Sequence, residues 1–267
     1  MTKVQSKPLI RWAGSKRKLL PLLLDKAPLS YQRYVEPFCG SASLFFEMPK
    51  MPALLSDINS ELMNAFNAIK SDPYIREKLV SLDSTKDEYY RVRELDPSSL
   101  NDNDRAVRFL YLNRYCFNGV YRTNQKGKFN VPMGTRTGNF PKQEVFDKAR
   151  EHLSNTELLV SDYKDTLSKL KEGDFAYIDP PYSKAGRFTG EYGIGSFDSA
   201  ELPDFYDNLL DLDQKGVQFL FSYKACAETI ELLSDRYFVE EVSVKRHVSG
   251  FKKNWNEAKE ILVKNYG

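Results

Sequence analysis

The sequence predicts an α/β fold, a doubly wound, Rossmann-like sheet that is mostly parallel and interrupted by a mainly helical insert. Three observations carry this reading. Short apolar runs alternate with helical patterns at both ends of the chain. The alternation stops between residues 71 and 155. The last two strand-like runs have little helix between them, which makes them an antiparallel pair. The chain then divides into a sheet domain of residues 1–70 and 156–267 and an insert domain of residues 71–155.

Taken in order, "IRWAGSKRKLLP" joins a tryptophan, an Ala-Gly turn and a cluster of cations at a helix start. "RYVEPF" reads as a buried strand, "SASLFFEM" as the helix after it, "ALLSDIN" as the next strand and "NSELMNAFNAIKS" as the next helix. In the insert, "DEYYRVREL", "DNDRAVRFLYLNRYC" behind an Asn or Asp cap, and "KQEVFDKAREHL" behind Pro141 have helical spacing. The Gly/Asn/Pro-rich segment from Phe117 to Pro141 reads as loop or hairpin. The sheet resumes with "ELLVSDY", the helix "YKDTLSKLKE" and the strand "DFAYID". After two prolines come the helix "SAELPDFYDNLLDLDQ", the strand "GVQFLFSY" and a helix from Ala225 to about Asp235. "YFVEEVSVKR" and "KEILVKNYG" supply the antiparallel pair.

Composition sets the outer bounds. A hydrophobic fraction of 41% and an aromatic fraction of 13% support a real core and exclude global disorder. Cys39, Cys116 and Cys226 are odd in number and far apart, which excludes a disulfide scaffold or zinc knuckle and fits a reducing cytosol. No apolar run reaches membrane-spanning length, and the N-terminus lacks a signal-type apolar stretch, so the expected location is the cytoplasm. With two histidines, His152 and His247, no metal centre is expected. The net charge of +2 is small, but from Arg105 to Gln143 there is no acid and there are eight basic residues. A solvated basic face accounts for such a window, and so does a surface that tracks phosphates.

The chemistry-bearing residues sit at predicted strand ends, where ligands bind in open α/β sheets. "YVEPFCGSAS" puts small residues where the first strand turns, which lets backbone approach a ligand closely. Asp57 follows Gly40 by seventeen residues, a spacing that suits ribose hydroxyls. On its own this pair serves a dinucleotide or S-adenosylmethionine, but the glycine pattern is too sparse for a dinucleotide fingerprint, and an ordinary strand–helix turn would look the same. Trp12 and Lys16 suit a ligand with an aromatic face and a carboxylate. In "YIDPPY", Asp179 offers a fixed acceptor, Pro180 a second one through its carbonyl in a rigid backbone, and Tyr182 a stacking ring. Two converging acceptors beside a ring match an exocyclic amino group on a nucleobase lifted from its helix.

These segments resemble the amino-methyltransferases of DNA, and more narrowly the Dam-type adenine-N6 family of the D12 class, α group. The likeness covers "RWAGSK", "VEPFCGSASLFF", "DINSEL", "FLYLNRYCFNGVYRTNQKGKFNVPMG", "YIDPPY" and "EILVKNY". It implies a catalytic motif of Asp179, Pro180, Pro181 and Tyr182. It implies a pocket for S-adenosyl-L-methionine from Trp12, Ala13, Gly14, Lys16, Glu36, Pro37, Phe38, Gly40, Asp57, Ile58, Asp162, Tyr163 and Asp179. Double-stranded DNA would meet Arg11, Arg114, Asn118, Arg122, Asn124, Lys126, Lys128, Asn130 and Arg136. The chain departs from the family at Ser15 and Ala42, where glycine is usual, and Lys126 stands where a prominent member has a base-reading arginine. Ser222-Tyr223 replaces a Ser-Asn pair, while Phe188, Thr189 and Tyr192 resemble the family's F-T-x-Y with one residue more before the tyrosine.

The expected activity is therefore methyl transfer to adenine N6 in duplex DNA by base flipping, with GATC or a related sequence as target. A monomer or weak dimer is expected, alone or beside a restriction or phage-defence partner. The rival readings are N4-cytosine or protein-glutamine methylation, a small-molecule methyltransferase, and a catalytically silent DNA-binding protein on the same fold.

Overall fold

The computed structural model describes residues 8–135, 138–181, 202–247 and 255–267. Seven strands form one sheet: β1 (Arg33–Glu36), β2 (Ala53–Asp57), β3 (Thr156–Val160), β4 (Asp174–Ile178), β5 (Gln218–Lys224), β6 (Phe238–His247) and β7 (Trp255–Lys264). Their spatial order is β3-β2-β1-β4-β5-β7-β6. The first five run parallel, and β7 lies antiparallel between β5 and β6. The expected fold class is the one observed. The order reverses between β1 and β4, and that switch point opens a crevice at the carboxyl ends of the strands.

Nine helices are described: α1 (Leu20–Lys26), α2 (Ser60–Ser71), α3 (Ile75–Val80), α4 (Lys86–Glu94), α5 (Asp102–Tyr115), α6 (Gln143–Leu153), α7 (Tyr163–Ser168), α8 (Leu202–Gln214) and α9 (Ala227–Ser234). Their starts follow from side-chain caps. Asn59, Thr85 and Asn101 accept the N–H groups of Leu62, Glu88 and Asp104, satisfying donors that the first helical turn leaves over.

Strand alternation divides the core between the two faces of the sheet. Phe175 and Tyr177 of β4 point toward α1, α2 and the insert, whereas Ala176 and Ile178 point toward α7 and α8. On the first face the buried cluster is continuous from Leu20, Phe66 and Ile69 to Tyr89, Phe109 and Phe146. The insert helices thus share their core with the sheet. Among the described residues no helix is long and apolar enough to cross a membrane.

One expected helix is missing. "SASLFFEM" forms only a single 3-10 turn at Phe45–Glu47. Gly40 and Ala42 both take left-handed backbone, with φ of +47° and +49°, so the chain turns sharply where a helix would begin. Residues 116–133 are hairpin-like, with bridges Thr123–Phe129 and Cys116–Met133 around a turn at Gly127.

Candidate active site

Four acids end or follow the parallel strands. In sheet order they are Asp162 after β3, Asp57 at the end of β2, Glu36 at the end of β1 and Asp179 after β4. This row lies along the crevice. Asp179 is the most connected of the four. Its Oδ1 takes Lys16 Nζ at 2.5 Å and Ser222 Oγ at 2.8 Å, and Ser222 in turn meets the Tyr177 hydroxyl at 3.2 Å. Burial pushes the Asp179 carboxyl up, against the pull of Lys16 and the Ser222 hydroxyl. Pro180 is buried and Pro181 half-buried behind it. Tyr182, with Phe188, Thr189 and Tyr192, lies outside the described residues.

The two loops that the sequence assigns to a cofactor come together. Gly40 donates its N–H to Asp57 Oδ2 at 3.1 Å, and Asn59 donates to Asp57 Oδ1 at 2.9 Å. Burial still raises the Asp57 carboxyl. A Cβ on Gly40 would stand 2.7 Å from Trp12 Cδ1, so the turn at the end of β1 accepts only glycine beneath that indole. Gly14, with φ of +77°, turns the chain from Trp12 into Lys16. Ser15, Ser41 and Ser43 join the two loops by hydroxyl contacts of 2.9–3.2 Å. Serine in place of glycine at 15 therefore adds a link. Ile58, beside Asp57, presents an apolar side chain that is 46% exposed.

Other expected cofactor residues occupy different settings. Glu36 and Pro37 are buried, and Tyr34 Oη and the Phe45 N–H both donate to Glu36 Oε1. The ring of Phe38 stacks on buried Tyr163 at 4.9 Å. Asp162 caps α7 by accepting the Lys164 N–H at 2.9 Å. Ala13 is half-buried beside Trp12.

The acid-free window does not form one basic face. Arg108 is buried and donates to the Arg93 carbonyl, and Arg105 pairs with Glu61 and Asp102. Arg114, expected to face DNA, is 3% exposed. Its guanidinium donates to the carbonyls of Pro8 and Leu9 and lies over the Phe140 ring. It ties down the N-terminal segment, and that burial holds its pKa at about 10. Arg122, Asn124, Lys126, Lys128 and Asn130 are exposed on the hairpin, with Arg122 Nε donating to Asn130 at 2.8 Å. Asn118 is exposed in a left-handed conformation, φ +55°, and Arg11 packs over neighbouring Gly119. Arg136 lies outside the described residues.

Two features had no place in the sequence reading. Asn113, 2% exposed, accepts the Arg11 N–H at 2.8 Å and donates to the Arg11 carbonyl at 2.7 Å, clasping a strand of chain 102 residues away. Trp12 then stacks on Tyr121 at 5.9 Å, so the cofactor-side loop is seated on the insert. The second is Glu260, a buried acid of β7, 3.8 Å from Lys16.

Known proteins resemble this chain over most of its length. A family model described as D12 class N6 adenine-specific DNA methyltransferase matches residues 12–248. A type II methyltransferase of Lactococcus lactis subsp. cremoris is 31% identical over 283 residues, covering 99% of this chain and 97% of the relative. One of Methanocaldococcus jannaschii is 30% identical over 297 residues, covering 98% and 100%. A DNA adenine methylase of Escherichia coli K12 is 34% identical over 219 residues, covering 78% of each chain.

Proposed function

Because the chain belongs to the D12 class of N6 adenine-specific DNA methyltransferases, we propose that it methylates adenine N6 in duplex DNA with S-adenosyl-L-methionine as donor. The base is lifted out of the helix and reacts by direct transfer. The donor set of the crevice fits that cofactor: a carboxylate at a strand end, a glycine-only turn under an indole and an exposed apolar side chain. In this reading Asp57 takes the ribose hydroxyls and Ile58 and Trp12 flank the cofactor, while the Lys16 ammonium, which the sequence assigns to the cofactor's carboxylate, stays with the acids of the site. When bound, the cofactor supplies an electrophilic methyl group.

The rest is done by the chain. The lone pair of an adenine amino group is delocalised into the ring, which makes it a poor nucleophile. Asp179 Oδ and the Pro180 carbonyl accept its two N–H bonds, which turns the lone pair toward the methyl. The carboxylate also stabilises positive charge that develops on the nitrogen. Fixed placement of the reacting atoms contributes roughly 7–11 kcal/mol in such sites. Tyr182 is assigned the stacking face for the extruded ring, and stacking of that kind contributes about 1–3 kcal/mol. Arg11, Asn118, Arg122, Asn124, Lys126, Lys128, Asn130 and Arg136 are assigned to DNA, with GATC as the target that the resemblance suggests.

The observation that carries the reading is Asp179, fixed by two donors at the switch-point end of β4 beside a proline pair. The test is Asp179→Asn. Labelled methyl transfer to plasmid is expected to fall by roughly 10²–10³-fold, with duplex affinity kept. Equal loss of both would show that Asp179 holds the fold or the DNA. Label at cytosine N4 would move the assignment to the other amino group, and no label with the wild-type chain would leave a DNA-binding protein. Methylation-sensitive sequencing of the same plasmid reads the target.

A further inference from the structure

Glu260 has no part in the mechanism above, yet it sits in the site. It lies inside β7, 2% exposed, opposite Lys224 of β5 and Val242 of β6. Ile261 and Val263 enter the core on the α8 side, so Glu260 and Leu262 face the opposite side, where the N-terminal segment runs. There Glu260 Oε2 stands 3.8 Å from Lys16 Nζ, the same ammonium that lies 2.5 Å from Asp179 Oδ1. A buried carboxylate is costly in the middle of a sheet, and a leucine would fill the slot at no such cost. The lysine therefore stands between two acids, in contact with one and at the outer limit of pairing with the other.

Asp179 Oδ1 already holds both Lys16 and the Ser222 hydroxyl. That carboxylate is the one assigned to the adenine amino group. An ammonium bound to it weakens it as an acceptor. The same ammonium also places a positive charge beside a nitrogen on which positive charge develops during transfer. Methyl transfer gains if the lysine has somewhere else to go.

We propose that Glu260 is a positioning residue: when the adenine amino group reaches Asp179, the ammonium of Lys16 moves across to Glu260 and leaves Asp179 to the base. The inference rests on reading the site as an adenine methyltransferase. Rotation of the last torsions of the lysine side chain covers the distance, and the two acids keep the ammonium paired throughout. Among the described residues, the groups facing Asp179 are Lys16 from the N-terminal segment, Glu36 from β1, Tyr177 from β4, Ser222 from β5 and Glu260 from β7. Among them, the charge of Glu260 acts to raise the Asp179 carboxyl and that of Lys16 to lower it.

The experiment uses the full chain with Glu260→Gln, which keeps shape, and Glu260→Asp, which keeps charge. Turnover with plasmid, its pH profile, the melting temperature and the calorimetric affinity for S-adenosylhomocysteine are measured for each. For Glu260→Gln, kcat is expected to fall roughly 10- to 100-fold, the loss typical of a misplaced reacting group, with S-adenosylhomocysteine affinity unchanged. The acid limb of its profile should move to lower pH, because the charge that raises Asp179 is gone. Glu260→Asp should recover part of kcat, and if Glu260→Gln does not fold, lowered kcat with unchanged affinity in Glu260→Asp serves instead. Wild-type turnover and an unmoved acid limb in Glu260→Gln would overturn the proposal. So would a joint loss of affinity, melting temperature and kcat that Glu260→Asp fails to relieve. A wild-type chain that transfers no methyl would instead fell the underlying reading of the site.

Discussion

Glu36 closes β1 with its carboxyl sealed from water, and two donors reach the same oxygen, Tyr34 Oη at 2.5 Å and the Phe45 N–H at 3.0 Å. Burial outweighs both and pushes its pKa from the ordinary 4.5 to about 8, with the charge of Asp179 adding to the rise. The unfolded chain releases this proton near 4.5 and the folded chain near 8. Between those values the native state binds more protons. This contribution to stability is therefore full below 4.5 and is lost as pH rises toward 8. The melting temperature should fall across that window, and Glu36→Gln should flatten the fall by roughly 5–10 °C. Scanning calorimetry of both chains across the window checks it. Parallel profiles would place the pH dependence on another group.

The clasp at the end of α5 joins two parts of the chain that the sequence sets far apart. Asn113→Ala strips the Arg11 N–H and carbonyl of their partners in a buried setting, which costs about 2–4 kcal/mol in total. It also loosens the Arg11–Lys16 loop. A lower denaturant midpoint together with weaker S-adenosylhomocysteine binding is the expected result. A lower midpoint with unchanged binding would confine the clasp to the fold.

β1, β2, β4 and β5 were readable because short apolar runs end in a polar residue, and Asp57 and Asp179 were readable as acids at those ends. The helix expected from Ser41 to Met48 failed because two left-handed residues outweigh a helical pattern, and only glycine announced one of them. Arg108 and Arg114 look like surface cations in a basic window, but charge says nothing about which way a helix face points. No local pattern in "KEILVKNYG" distinguishes a buried Glu260 from an acid on the solvent side of a strand. No local pattern marks Asn113, whose partner is 102 residues distant.

Across the whole molecule, charge is sorted by place. Acids line the carboxyl ends of the parallel strands, and the exposed cations Arg122, Lys126 and Lys128 project from the hairpin of the insert. The insert shares a continuous core with the sheet, so the hairpin is carried on the same packed body as the carboxyl ends of the strands. If Lys126 and Lys128 contact phosphates, each one releases counterions on binding. The double change Lys126→Ala, Lys128→Ala should then reduce the slope of log affinity against log salt by about 1.8. Fluorescence anisotropy with a labelled duplex across a salt series gives the number, and an unchanged slope would take both lysines off the backbone.

The placement of β7 between β5 and β6 has a consequence for biosynthesis. During translation β6 leaves the ribosome first and finds no neighbour, because the strand it pairs with is made after it. Until residues 255–264 emerge, the outer edge of β5 and both edges of β6 are open templates for mispairing with other chains. The sheet is closed from within by its latest strand, which delivers Glu260 to Lys16 in the same step, so a nascent chain that stalls before this point lacks both a sealed sheet and a complete charge cluster.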